Sequence, residues 1–187
     1  MFRGSDVFAI GKVGWRWNAG VALADDSASL PGRFAAGAWF HNGQFDRFDG
    51  ATQSGTGGVY LLVDQTIFRE SDDPEDNQGL GVFAQYGFAD PDVSQIAHHL
   101  GTGFTWTGAI PGRDQDALGL GLSWAGLSQR PGAGFAESFE LSTELFYSVH
   151  ASEFALVVFD LQHIVNPNGR NDISDALVGT LRLILAY

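Results

Sequence analysis

Glu140 and Glu144 lie four residues apart in the stretch FELSTELFYSV, residues 139–149. A carboxylate pair of this kind could act as general acid and base. Its surroundings suggest another use. Phe139, Leu141, Leu145, Tyr147 and Val149 occupy one parity, and Glu140, Ser142, Glu144 and Ser148 the other. Period two is the signature of a β-strand with two unlike faces, so both carboxylates share the polar face. Arg182 holds the same position in DALVGTLRLILAY, opposite Leu177, Leu181, Leu183, Leu185 and Tyr187. Carboxylates and guanidinium groups on a wetted wall can hydrogen-bond a polar solute or set a local field. They can equally form a structural ion-pair ladder. Phe146 and Phe83 fall on the small-residue face, where an aromatic ring could stack on a solute or pack against an inserted loop. Trp39 and His41 share a parity with Arg33 and Gly37 and invite the same reading. Asp160 and Gln162 share a parity with Leu156, Val158 and Ile164, which leaves their facing open. Asp64 and Gln65 are adjacent, so at most one faces inward, and Asp64 is the candidate.

Other chemistries find little support. The acidic turn ESDDPEDN (70–77) lacks the D-x-D-x-D-G spacing of a calcium loop and reads as a solvated turn. His98 and His99 are adjacent and point to opposite faces of a strand, which does not suit one metal. GLSWAG is not a nucleophile elbow, and GTGFTWTG is not a dinucleotide fingerprint. No catalytic residue, cofactor or metal is expected.

These residues must be positioned by strands. The 187-residue chain has no cysteine, hence no disulfide framework. Its net charge of -12 with a single lysine, Lys12, argues against nucleic acid. Only 17% of residues are charged, against a usual share of about 25%. Glycine reaches 25 of 187, roughly twice the usual share of about 7%. Such a chain cannot cover an ordinary soluble surface with charge. No apolar run approaches the ~20 residues of a membrane-spanning helix. The opening MFRGSDVFAIGKVGW lacks the order of a signal peptide and reads as mid-strand sequence, so Met1 reads as an internal start.

Alternation predicts nine strands at 11–25, 33–44, 57–69, 79–89, 97–109, 117–127, 138–149, 154–165 and 175–187. Most exceed ten residues, and a tilted strand crossing a bilayer needs about 9–11. In ALGLGLSWAG (117–126), Leu118, Leu120, Leu122 and Trp124 face away from Ala117, Gly119, Gly121, Ser123 and Ala125. The second face is too bland for a soluble sheet's solvent side and suits the wall of a wide lumen. Tyr86, Phe88, Trp106, Trp124, Tyr147 and Tyr187 are then expected at the lipid interfaces as aromatic girdles. Connection lengths place the turns before strands 2, 4, 6 and 8 on the periplasmic side and the longer loops outside.

The series GLGVFAQYGFADPD, IPGRDQDA followed by GLGLS, ELSTELFYSV, DLQHIVNPNG and a closing LRLILAY resembles the C-terminal half of carbohydrate-selective porins of the OprB type. GVYLLVDQTIFRE (58–70) resembles the same family's strand with an Asp-Gln pair. The resemblance covers the chain from about residue 33 onward. It implies an all-β antiparallel transmembrane barrel in the bacterial outer membrane, with about nine strands here out of roughly sixteen. It also implies passive passage of sugars, places Asp160 and Gln162 inward, and makes lipid and lipopolysaccharide the neighbours, with a homo-oligomer left open. Residues 1–187 are then expected to form one barrel region and to be a fragment of a longer protein. The pore-lining candidates are Glu140, Glu144, Arg182, Asp160, Gln162, Asp64 and Phe146. Two other readings stand beside this one. They are a soluble β-sandwich that binds carbohydrate and a complete small outer-membrane barrel.

Overall fold

A computed structural model describes residues 6–18, 30–71, 73 and 76–186. Most of the expected first turn (25–32), three positions of the acidic turn (72, 74 and 75) and the terminal Tyr187 lie outside the described residues.

Nine strands follow in chain order: β1 (Phe8–Trp17), β2 (Gly32–Asp46), β3 (Thr52–Arg69), β4 (Gly79–Ala89), β5 (Ile96–Thr107), β6 (Ala117–Leu127), β7 (Phe139–Ser152), β8 (Ala155–Val165) and β9 (Ala176–Leu185). Each pairs antiparallel with the next, in a single meander of order β1 to β9. Among the described residues, β1 and β9 each have one paired neighbour, so the sheet is open between them. Among the described residues, two short 3-10 turns interrupt the strands, Pro131–Ala133 and Pro167–Gly169.

A single sheet has no second layer to pack against. The buried apolar residues are few and mostly small: Ala35, Ala97, Leu127 and Ala133. A β-sandwich requires two sheets with an interdigitated core between them, and the described residues form one sheet.

Directly opposed residues on neighbouring strands share a face, so the register assigns every side chain. One row reads Trp15–Phe34–Val63–Ala84–Thr102–Leu122–Thr143–His163–Leu177. Leu61, Tyr86, Leu100, Trp124 and Leu141 form a parallel row on the same face. Many of these side chains are bare, with Trp15 71% and Leu177 70% exposed. Contiguous apolar surface of this extent is foreign to soluble monomers. Tyr86, Phe88, Trp106, Trp124 and Tyr147 all lie on this face.

Two expectations need correction. The first strand begins at Phe8 rather than 11 and runs to Trp17, where Asn18 takes the left-handed conformation at φ +52°; residues 19–25 of the expected strand lie outside the described residues. The third begins at Thr52 rather than 57, because Thr52, Gln53 and Ser54 pair with Asp46, Phe45 and Gln44 past a β-bulge. The β2–β3 connection therefore shrinks to residues 47–51. On the other rim, residues 108–116 form a longer connection than that and 153–154 a shorter one, so connection length does not orient the sheet.

Candidate functional site

The face opposite the apolar rows carries every pore-lining candidate. A single register row crosses all nine strands as Arg16–Arg33–Asp64–Phe83–Gly103–Gly121–Glu144–Gln162–Val178. A second reads Thr66–Gly81–Thr105–Gly119–Phe146–Asp160–Thr180. A third runs Lys12–Gly37–Tyr60–Gly87–His99–Ala125–Glu140. Arg182 opposes Val158, on the same face. Glu140, Glu144, Asp160, Gln162, Arg182, Asp64 and Phe146 thus share one wall. Gln65 lies on the other face, where its amide holds Leu30 and Pro31 through their carbonyls and accepts from Trp17 Nε1 at 3.2 Å.

The wall falls into two clusters. Around β2–β5, Arg33 donates to Asp64 Oδ2 from Nη2 at 2.6 Å and from Nε at 2.9 Å, both side chains being 46% exposed. These two residues, with Thr66, Gly81, Phe83 and Thr105, line a shallow hollow. Around β7–β9, Gln162 Nε2 donates to Glu144 Oε2 at 3.2 Å, beside Asp160 and Phe146. Asp160 Oδ1 is buried and has no hydrogen-bond partner. Glu140 has a different role from its neighbours. It accepts the backbone N–H of Asn168 and so ties the β8–β9 connection to the wall.

The rings on this wall are folded down. A Cβ at Gly119 would lie 2.2 Å from Phe146 Cε1, and one at Gly103 would lie 2.9 Å from Phe83 Cε1. Each phenyl ring therefore rests over the glycine directly opposite it on the neighbouring strand. Aromatic cover of a strand glycine replaces the packing that the missing side chain would supply. The small face is thus less empty than its composition implies, since part of the space above its glycines holds the neighbour's ring.

Both rims are braced. On one, Asp92 forms ion pairs with Arg47 Nη2 at 2.9 Å and Arg130 Nε at 2.5 Å, while Phe48 N–H donates to Asp92 O at 2.9 Å. Gly132 sits against Phe48, where a Cβ would approach the carbonyl oxygen to 1.7 Å. Ser128 donates to Pro91 O at 2.6 Å, and the Ala136 and Glu137 N–H groups reach Gly169 O. Residues 47–51, 90–95, 128–138 and 166–175 thereby form one linked collar. Hydrogen bonds from Gln53 and the Asp92 N–H hold the Asp90 carboxyl below its usual range. On the opposite rim, Asp116 is 3% exposed. It accepts from Arg113 Nε and Nη2 at 2.7 and 3.0 Å, Tyr147 Oη at 2.5 Å and His150 N–H at 2.9 Å. Burial pulls its carboxyl up, but these donors outweigh it and hold it below the usual range.

Sequence reasoning missed this carboxylate and the Arg33–Asp64 pair. The parity of Arg33 in β2 was a legible signal for the pair. Nothing separates Asp116 from Asp114 in the sequence.

The family model for carbohydrate-selective porins, the OprB family, matches residues 2–186. Porin B of Pseudomonas aeruginosa is 22% identical over an alignment covering 82% of this chain and 41% of that protein. The high-pH structure of Pseudomonas putida OprB superposes with a TM-score of 0.82 at 19% identity, over 95% of this chain and 48% of that one. The low-pH structure gives 0.63 at 20% identity, over 95% and 46%. The chain therefore spans less than half the length of the relatives it matches.

Proposed function

Because the chain belongs to the carbohydrate-selective porin family, OprB, whose members are outer-membrane proteins of Gram-negative bacteria, we propose that it forms part of the wall of a passive diffusion channel for carbohydrates. One observation carries this reading: the register puts the six polar candidates, with Phe146, on one face and a broad, bare apolar surface on the other. The apolar face meets lipid. The polar face meets water and solute.

No covalent step is needed. Selectivity comes from pore shape and from the hydrogen-bonding groups that solutes pass. Arg33 with Asp64, and Glu144 with Gln162, supply donors and acceptors to sugar hydroxyls. Phe83 and Phe146 offer flat apolar surface to the C–H faces of a sugar ring. Asp160 and Arg182 complete the polar lining beside β9, and Glu140 positions a loop at the rim. Outer-membrane lipid and lipopolysaccharide surround the apolar face, and a homo-oligomer is compatible with it.

The test compares Leu120→Arg with Ser123→Arg. Leu120 lies on the apolar face and Ser123 on the polar one. An arginine in hydrocarbon near mid-depth costs roughly 2–4 kcal/mol. Leu120→Arg should impair folding into detergent or bilayers, while Ser123→Arg should fold and lower conductance. Equal folding of both variants with unchanged conductance would refute the facing.

A further inference from the structure

The polar wall is electrically lopsided. Three of its positive groups, Lys12, Arg16 and Arg33, stand together on β1 and β2, while the carboxylates Glu140, Glu144 and Asp160 gather at β7 and β8 with Arg182 of β9 beside them. Arg16 and Arg33 oppose each other directly across the β1–β2 ladder. Like charges in that position repel and weaken the pairing. Asp64 serves Arg33 alone, and among the described residues no carboxylate pairs with Arg16 or Lys12. Among the described residues, these three cations therefore share one carboxylate partner, Asp64.

The hollow next to this patch supplies the rest of a site. Phe83 offers a ring face on one side. Thr66, Thr105 and Asp64 offer hydroxyl and carboxylate partners, and Arg33 stands at its edge. Its volume, about 380 Å³, falls within the ~300–1,000 Å³ of small-molecule sites.

We propose that this region binds acidic sugars, with the pyranose ring against Phe83, hydroxyls on Thr66 and Thr105, and the carboxylate received by the Arg16–Arg33 pair. Guanidinium groups recognise carboxylates through paired, charge-assisted hydrogen bonds. A carboxylate placed between the two guanidiniums also relieves their repulsion, which a neutral sugar cannot do. Lys12, four residues from Arg16 on the same face, draws the anion toward the site. This proposal rests on the reading of the polar face as water-lined.

Isothermal titration of the chain in detergent micelles with sodium glucuronate, glucose and sodium acetate tests it. Glucuronate should bind at least tenfold more tightly than either glucose or acetate. Arg16→Gln should lower glucuronate affinity at least about tenfold, the scale of a hydrogen bond to a charged group, and leave glucose unchanged. Arg16→Lys should fall between the two. Asp64→Asn should strengthen glucuronate binding by freeing Arg33. A heat-modifiable band on gels shows that each variant has folded. Acetate binding as tight as glucuronate would reduce the site to a bare anion contact and overturn the proposal. Glucuronate affinity unmoved by Arg16→Gln would overturn it too. Glucose bound as well as glucuronate overturns the acidic-sugar site and leaves the channel reading intact. Failure of the channel reading would show instead in the Leu120 and Ser123 variants.

Discussion

Gly119 and Phe146 should be energetically coupled, and the coupling is measurable. A methyl group added at Gly119 would sit 2.2 and 2.4 Å from Phe146 Cε1 and Cζ, and 2.8 Å from the Phe104 carbonyl oxygen. Real Cβ contacts do not come so close, so the ring must lift off the wall. Overpacking of this kind costs about 1–3 kcal/mol. In Gly119→Ala the raised ring also projects into the channel, and single-channel conductance should fall. Removing the ring with Phe146→Ala takes away its cover of Gly119 but makes room for the methyl group. The double variant should therefore be more stable than the sum of the single variants implies, by about 1 kcal/mol. The remaining crowding against Phe104 keeps the rescue partial. Urea unfolding of the refolded chain, followed by tryptophan fluorescence, gives the four stabilities of the cycle. Contacting residues show interaction energies of about 0.5–3 kcal/mol, whereas independent sites add to within ~0.5 kcal/mol. Additive effects of the two substitutions would mean that the ring does not rest on Gly119 in the folded protein. The account of the wall's aromatic rings would then fail.

Two further predictions concern the rims. Asp116→Ala should destabilise the chain by about 1–3 kcal/mol, because the Tyr147 hydroxyl and the His150 N–H lose their acceptor, while Arg113, 42% exposed, stays hydrated. Because the folded carboxyl titrates below its unfolded value of about 3.9, its stabilisation is fully present above about pH 4. It is lost as pH falls through the folded value. Urea midpoints from pH 7 down to 3 should show this loss in the parent, while Asp116→Asn should lack that component. An identical acid dependence in both would count against the assignment. Asp92→Ala should loosen the collar and raise the rate of proteinase K cleavage within residues 128–138 about fivefold, the effect of roughly 1 kcal/mol on local opening. An unchanged rate would mean that the two arginine contacts do not hold the loop.

The strands were legible where side chains carried the signal. β4 and β6 occupy 79–89 and 117–127, as alternation and flanking turn residues indicate. The start of β3 was not legible, because TQSGTGG looks like a turn by composition, yet its backbone groups pair with Gln44–Asp46. Hydrogen bonding there depends on the neighbouring strand rather than on side-chain type. The facing of Asp160 and Gln162 was ambiguous in the sequence because Leu156, Val158 and Ile164 share their parity. The register with Phe146 and Glu144 decides it. Phe146 looked like a break in the pattern. It is large because the residue opposite, Gly119, has no side chain. The adjacency of Arg16 and Arg33 required a register that no single strand contains.

The open meander also constrains what can lie beside it. Strands alternate in direction, so the first and the ninth, β1 and β9, run the same way. Bending the sheet until these edges met would create a parallel seam. Setting two copies side by side in one membrane orientation would create two. A closure that keeps every pairing antiparallel must insert an odd number of strands between β9 and β1. Nine plus an odd number is even, which is the arithmetic that bacterial single-chain barrels obey. Unpaired strand edges are not tolerated in hydrocarbon. The direction of β9 relative to β1 thus acts as a counting rule on whatever polypeptide completes the wall.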